Sequence, residues 1–314
     1  MTPEALLLMA ALALAPPFTD HAVVQRGRPI ALWGTATPGR EVRATLGEGT
    51  ASARAADDGS WRVNLPALPP GGPHAVRVQA GDEQVFIHDV FVGDVWLCSG
   101  QSNMQWPVVE VLGAQEAIDR LAALEAVRVF RVPKPGEADP ATPFAGIAWQ
   151  PASTDSVHAF SAVALFFAEE LRRCPAMQGV PIGLVDSSVG GTRIEAWMPA
   201  DVLARDFAGE DLRESFFGWK PTSMFESMVR PLAPMGLAGA LWYQGESNAG
   251  TEALYARLLP AHMQAWRAAF EAPGLPFLVA QLPAYGPRFG DGHFTSIREA
   301  QQLATGNDAR AWLA

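Results

Sequence analysis

Two spacings of apolar residues divide the chain. Between residues 20 and 90, short runs of β-forming residues follow one another: "AVVQ", "PIALWGTA", "EVRATLG", "SWRVNLPAL", "HAVRVQA" and "QVFIHDVFV". They are separated by "TPGR", "DDGS", "PPGG" and "AGDE", whose Pro, Gly and Asp residues close tight turns. Many short strands at this spacing predict a small β-sandwich over residues 18–90. Past residue 90 the pattern changes. "VRVF" (127–130), "VPIGLVDS" (180–187), "LAGALWYQ" (237–244) and "LPFLVAQL" (275–282) are mainly apolar runs that read as buried strands. Amphipathic helical stretches at 114–126, 160–173 and 255–270 lie between them. This alternation predicts a mostly parallel sheet with helices on both faces over residues 91–314. The Pro/Gly-rich segment 132–152 reads as a long surface connection.

Polar clusters break the apolar runs at three places. In "DVWLCSGQSNMQWP" (94–107) a buried strand ends on Gly100-Gln101-Ser102-Asn103. "DSSVGGTRIEAW" follows the strand at 182–185, and "QGESN" follows the one at 240–243. Open α/β sheets bind ligands at the carboxyl ends of their strands, so three such runs predict one site built from three loops. Ser102 is the candidate nucleophile, its hydroxyl raised by a strand-to-loop turn. Gly190 and Gly191 precede "TRIEAW", which starts like a helix. Their backbone N–H groups, aided by that helix N-terminus, are candidate donors to an oxyanion. Gln244 offers a side-chain amide for the same oxygen, and Glu246 is placed to orient its neighbours. Asn103 and Arg193 are the candidate substrate contacts. Arg193 is otherwise expected at the surface, and Glu195 and Trp197 are expected to begin the helix.

Composition narrows the field. Hydrophobic residues make up 49% of the 314 and charged residues 18%, which fits a globular chain. Net charge is −10 and no run of Lys or Arg occurs, so nucleic acid is not an expected partner. The stretch "ALLLMAALALA" (5–15) is too short to span a bilayer but suits a signal-peptide core, with Ala13-Leu14-Ala15 like a cleavage site. Glu4 and Pro16-Pro17 argue against it. Residues 1–17 therefore stand as a candidate export signal, implying a periplasmic or secreted protein. A mis-assigned start or a buried first segment, and with it a cytoplasmic location, remains the alternative. No other segment is long and apolar enough to cross a membrane. The two cysteines, Cys98 and Cys174, read as unpaired thiols. No metal-ligand spacing and no phosphate-binding glycine loop occurs, so no cofactor and no metal is expected.

The segments "GQSNM", "GLVDSSVGGTRIEAW", "PLAPMGLAGALWYQGESNA", "LPFLVAQLP" and "REAQ" resemble the sialate O-acetylesterase family, carbohydrate acetylesterases of the SGNH-hydrolase fold. The resemblance runs from about residue 18 to the last residue. "FTDHAVVQRGRPIALWG" is similar to the start of the small β-domain that precedes the hydrolase domain in such proteins. It implies a flavodoxin-like three-layer sandwich, α/β in class, with a small N-terminal β-sandwich domain. It implies a serine esterase acting on O-acetyl esters of carbohydrates, with an acetylated sugar or glycan as substrate. Ser102 would be the nucleophile; its own amide, Gly190 or Gly191, and Gln244 would be the oxyanion donors. Acetylated plant polysaccharide such as acetylxylan is an alternative substrate, and a non-catalytic carbohydrate-binding protein an alternative class. Two departures stand out. Glu226 in "MFESMVRPL" occupies a place where the family usually has Asn. The family's general base lies in a D-x-x-H segment downstream of "REAQ", and none of the six histidines fits it. His293 in "GDGHF" is in a suitable loop but precedes "REAQ". The expectation is a hydrolase domain missing its C-terminal end, with its Asp and His outside residues 1–314.

Overall fold

The computed structural model describes residues 11–137, 144–284 and 294–314. Eight strands open the chain: β1 (Ala13–Leu14), β2 (Val23–Gln25), β3 (Ile30–Thr35), β4 (Glu41–Leu46), β5 (Gly49–Arg54), β6 (Ser60–Leu65), β7 (Gly71–Ala80) and β8 (Glu83–Gly100). β1, β3 and β6 form one antiparallel sheet; β5, β4, β7 and the first half of β8 form a second. Alternation decides which side chains enter the space between them. Val42, Ala44 and Leu46 of β4 and Trp61, Val63 and Leu65 of β6 are buried in one cluster, while Glu41, Arg43 and Arg62 point outward. Residues 11–17 join this packing: β1 pairs with β3, Leu12 and Ala15 are buried, and the Pro17 carbonyl accepts from Trp149 Nε1 at 2.8 Å. Residues 1–10 of the candidate signal lie outside the described residues.

β8 runs unbroken for 18 residues. Its first half pairs with β7 and β2, and its second half, from Asp94, is the central strand of the following sheet. The boundary expected between residues 90 and 91 therefore falls inside a strand. The crossing point is braced: Asp94 accepts from Arg26 Nε and Nη2, both at 2.8 Å, and from Gln25 Nε2 at 3.0 Å.

After β8 come β9 (Val127–Arg131), β10 (Gln150–Pro151), β11 (Ile182–Ser188), β12 (Gly239–Tyr243), β13 (Phe277–Val279) and β14 (Ala311–Leu313). The sheet order is β10-β9-β11-β8-β12-β13-β14, parallel throughout except for β10. The helices are α1 (Ser102–Gln105), α2 (Ala114–Ala122), α3 (Thr154–His158), α4 (Ala162–Arg173), α5 (Ala200–Asp206), α6 (Glu252–Ala269) and α7 (Thr295–Gly306). Cys98, Leu184 and Leu241 face α2 and α4, while Leu97, Val185 and Ala240 face α5, α6 and α7. This is the α/β sandwich that the apolar runs predict. The chain passes from β8 out to β9, back to β11, then across to β12, so the direction of winding reverses around β8. A crevice opens at such a reversal, outside the carboxyl ends of the strands.

Two expectations are corrected. The segment 132–152 is not merely a surface connection: Trp149 is buried, its ring 5.3 Å from Phe130, because an indole that size finds its water-free place in the core. "TRIEAW" forms a single 3₁₀ turn, Ile194–Trp197, rather than a helix. Pro199 disfavours helical backbone at Met198, which is extended.

Candidate active site

The three polar runs start level with one another. Gly100, the last residue of β8, lies opposite Ser188 of β11 on one side and Tyr243 of β12 on the other. The approach to Tyr243 is so close that a Cβ on Gly100 would stand 2.0 Å from its carbonyl oxygen, and φ is +141°. Only glycine fits there. The pairing carries on past the strand ends, with Gln101 N–H donating to the Tyr243 carbonyl at 3.0 Å and Val189 N–H to Gly100 at 3.1 Å. Ser102 then opens α1. It is exposed, and its hydroxyl has no hydrogen bond among the described residues.

Gly190 comes up against the nucleophile loop. A Cβ built on it would lie 3.5 Å from Ser102 Cβ. Its N–H donates to Gln105 Oε1 at 2.6 Å, so the expected oxyanion donor is already holding a carbonyl oxygen of the chain itself. Gly191 has φ +72°, and a Cβ built on it would stand 2.9 Å from the Phe217 ring. Because "TRIEAW" is one 3₁₀ turn, no helix dipole of any length backs these amides.

Behind this surface lies a buried polar network. Gln244 is fully buried, and its Nε2 donates to Asn248 Oδ1 at 2.8 Å, Thr192 O at 3.1 Å and Gln101 Oε1 at 3.2 Å. Three acceptors share its two hydrogens, so the amide expected to meet an oxyanion is turned inward. Gln101 Oε1 also collects the N–H groups of Gly245 (3.3 Å) and Ser247 (3.2 Å). Arg193, expected at the surface, is buried as well. Its guanidinium donates to Glu195 Oε1 at 3.0 Å, the Ser247 carbonyl at 2.5 Å and Thr251 Oγ1 at 2.7 Å. Glu195 takes a further bond from Asn248 Nδ2 at 2.9 Å, which completes a paired, hydrogen-bonded burial of both charges. Asn103 does not stand free for substrate in this state: its Nδ2 donates to Glu246 Oε1 at 2.6 Å. Burial pushes the Glu246 carboxyl up from its usual range, and the Asn103 bond pulls the other way. The first and third loops are thus tied at Asn103–Glu246, and all three meet at Gln101, Gln244 and Asn248.

A family model described as "Carbohydrate esterase, sialic acid-specific acetylesterase" matches residues 92–311. The chain belongs to this family. Among curated relatives of this esterase family, the sialate O-acetylesterases of Pongo abelii and Homo sapiens are each 35% identical over 298 residues. The match covers 85% of this chain and 56% of theirs, so the chain spans a little over half the length of those relatives. In structure it is similar to a carbohydrate acetylesterase from Xanthomonas citri, with TM-score 0.83 and 35% identity over 96% of this chain and 68% of that one.

For a chain of this family the histidines matter next. His293 lies outside the described residues. His21 pairs with Asp89 at 2.6 Å in the N-terminal sheets, and His74 and His88 lie on β7 and β8 there. His158 ends α3. His262 is buried on α6 between Trp242 and Trp266, at ring distances of 4.1 and 4.5 Å. Glu226 pairs with Arg230 at the surface, and nothing else in the structure explains its replacement of the family's Asn. Sequence reasoning missed Gln105, Asn248 and Asp186. The first two were within sight, because amides cluster in "SGQSNMQ" and "QGESN". Asp186 is buried in β11 and accepts from Ser188 Oγ at 2.5 Å; burial pushes its pKa up to about 6. Both cysteines are free, Cys98 buried and Cys174 exposed. Among the described residues, no cluster of His, Cys, Asp or Glu fits a metal ion and no helix is long and apolar enough to cross a membrane.

Proposed function

We propose that the protein is a serine esterase that hydrolyses O-acetyl esters on carbohydrates, with Ser102 as nucleophile. The observation that carries this reading is an exposed serine whose hydroxyl is unpaired among the described residues, beside the Gly190 amide, at the meeting of three strand ends in a chain of the carbohydrate esterase family. Ser102 Oγ attacks the acetyl carbonyl while its proton passes to a general base. The negative oxygen that forms is held by the Gly190 N–H and the Ser102 N–H, which opens α1 and has no helical partner. For this the substrate oxygen displaces Gln105 Oε1 from Gly190. The intermediate collapses, the sugar oxygen leaves with the proton, and an acetyl-enzyme remains. Water then attacks that ester, releasing acetate and restoring Ser102. The D-x-x-H motif of the resemblance would supply the base. Gln244 and Arg193 serve as braces of the loops rather than as contacts to substrate, and Glu246 holds Asn103 in place.

The names of the relatives make O-acetylated sialic acid the first substrate to test, ahead of acetylated xylan. Periplasmic or secreted location is part of the same proposal, on the ground of the apolar stretch at residues 5–15.

A serine-directed fluorophosphonate tests the assignment on the full-length protein. Peptide mapping should find the label on Ser102, and Ser102→Ala should lower kcat roughly 10⁶-fold, as for other serine hydrolases with the nucleophile removed. Label on another serine, with Ser102→Ala still turning over acetyl esters, overturns the reading.

A further inference from the structure

Two aromatic rings stand bare beside the nucleophile. Phe216 is 85% exposed and Phe217 67%, and the rings meet edge to face with centroids 5.0 Å apart. They are not on a loose loop. Ser215 N–H donates to the Trp219 carbonyl and Gly218 N–H to the Ser215 carbonyl, both at 2.8 Å, which closes a tight turn with the two rings at its tip. That turn is fastened to the glycine loop of the site. Ser215 Oγ accepts from Arg193 N–H at 2.9 Å, and Phe216 N–H donates to the Gly191 carbonyl at 3.3 Å. The Phe217 ring lies against Gly191, and the preceding residue, Gly190, lies against Ser102. Nucleophile and aromatic pair therefore flank the same two-residue turn.

Large apolar side chains left in water on a rigid support mark a binding surface. A pyranose ring offers the matching chemistry. One of its faces carries mainly C–H groups, which carry slight positive charge, and the face of an aromatic ring is slightly negative. Of the neighbouring cations, Arg193 beside the glycine turn is committed inward to Glu195, Ser247 and Thr251, Arg213 pairs with Asp211, and Lys220 stays exposed next to Trp219. The rings themselves are suited to the C–H face of a sugar, with Lys220 at the edge of the turn.

We propose that Phe216 and Phe217 form a platform that stacks against the C–H face of the sugar carrying the acetyl ester, and so select a carbohydrate over a simple acetate ester. The proposal rests on the assignment of Ser102 as nucleophile only for which sugar is held, the acetylated one.

The test is binding of an O-acetylated methyl pyranoside, measured by calorimetry on the Ser102→Ala protein. Phe216→Ala and Phe217→Ala should each weaken the affinity roughly five- to tenfold, the scale of one lost aromatic contact. Phe217→Tyr should keep the parent affinity, and Phe217→Leu should lose it, since leucine is apolar without a ring. A second readout uses proteins with Ser102 intact. A small fluorophosphonate without a sugar should label Ser102 equally fast in parent and Phe variants. Unchanged affinity in the alanine variants overturns the platform. So does a labelling rate that falls in step with affinity, because the pair would then only be supporting Gly191. Absence of label on Ser102 in the parent refutes the nucleophile instead, and the affinities still judge the aromatic pair.

Discussion

Gln105 presents to Gly190 the same kind of oxygen that an acetyl ester would bring. Its amide carbonyl sits 2.6 Å from the Gly190 nitrogen, on the helix that begins with Ser102. An unoccupied, half-buried N–H is unfavourable, so the side chain satisfies it, and under the proposed mechanism a substrate oxygen takes its place. The substrate must then compete with a neutral hydrogen bond whose net worth is about 0.5–1.5 kcal/mol. Gln105→Ala should therefore lower KM for an acetylated sugar by roughly two- to tenfold with kcat little changed. A higher KM accompanied by a lower melting temperature would mean that Gln105 supports the glycine loop instead. Single residues of this kind were only partly legible in the sequence. Ser102 stood out because a polar run interrupts an apolar strand. The direction of Arg193 did not: its partners Ser247 and Thr251 lie more than fifty positions away, and no local pattern reports them.

Among elements, the strands of the parallel sheet were the most readable. β12 and β13 are apolar on both faces, as is the first half of β11, and a continuous run of such residues has few other uses; β9 is legible from Val127, Val129 and Phe130 despite its two arginines. β5, with the sequence "GTASAR", was not foreseen: its side chains are small and give no hydrophobic alternation, and pairing with β4 decides its fate. The loops after β8, β11 and β12 were each visible as polar clusters, but their bonding to one another was not. Gln244 is the tie. With alanine there, Thr192 O loses its donor in a place closed to water, while Asn248 Oδ1 keeps the Ile194 N–H, and a stranded buried acceptor costs about 1–3 kcal/mol. Gln244→Ala should accordingly shift the urea midpoint downward. Should kcat fall by about 10² or more at unchanged stability, Gln244 is an oxyanion donor after all, as its sequence position implies.

At the level of the whole molecule, two buried groups oppose each other as pH changes. Burial among Trp242, Trp266 and Phe277 pushes the His262 pKa down to about 3, against a small opposing pull from the Trp197 backbone. The fold holds the neutral ring, so its contribution is complete above the ordinary value of 6.5 and is lost as pH falls toward 3. Asp186 behaves in the reverse sense. Its pKa is raised from 3.8 to about 6, the fold prefers the protonated acid, and stability is lost as pH rises through that window. Each effect approaches a tenfold change in the folding constant per pH unit. Between roughly pH 4 and 6 they should largely cancel in the parent. Substitution separates them. Relative to the parent, His262→Phe should gain stability as pH falls, and Asp186→Asn should gain as pH rises from 4 to 6. Chemical denaturation across that range would give parallel curves for parent and variants if neither group titrates as described.

The continuity of β8 also constrains how the gene can change. Side chains alternate along a strand, so one codon inserted between Glu83 and Asp94 would send every later side chain of β8 to the opposite face. Leu97 would trade its place under α6 for the side of α2, and Cys98 would make the opposite exchange. The end of the strand would also advance by about 3.3 Å, carrying Ser102 past Gly190. Loops elsewhere in the chain can lengthen by single residues with modest effect. Across this stretch, insertions and deletions should be tolerated only in pairs, so homologues should differ there by substitution and hardly at all in length.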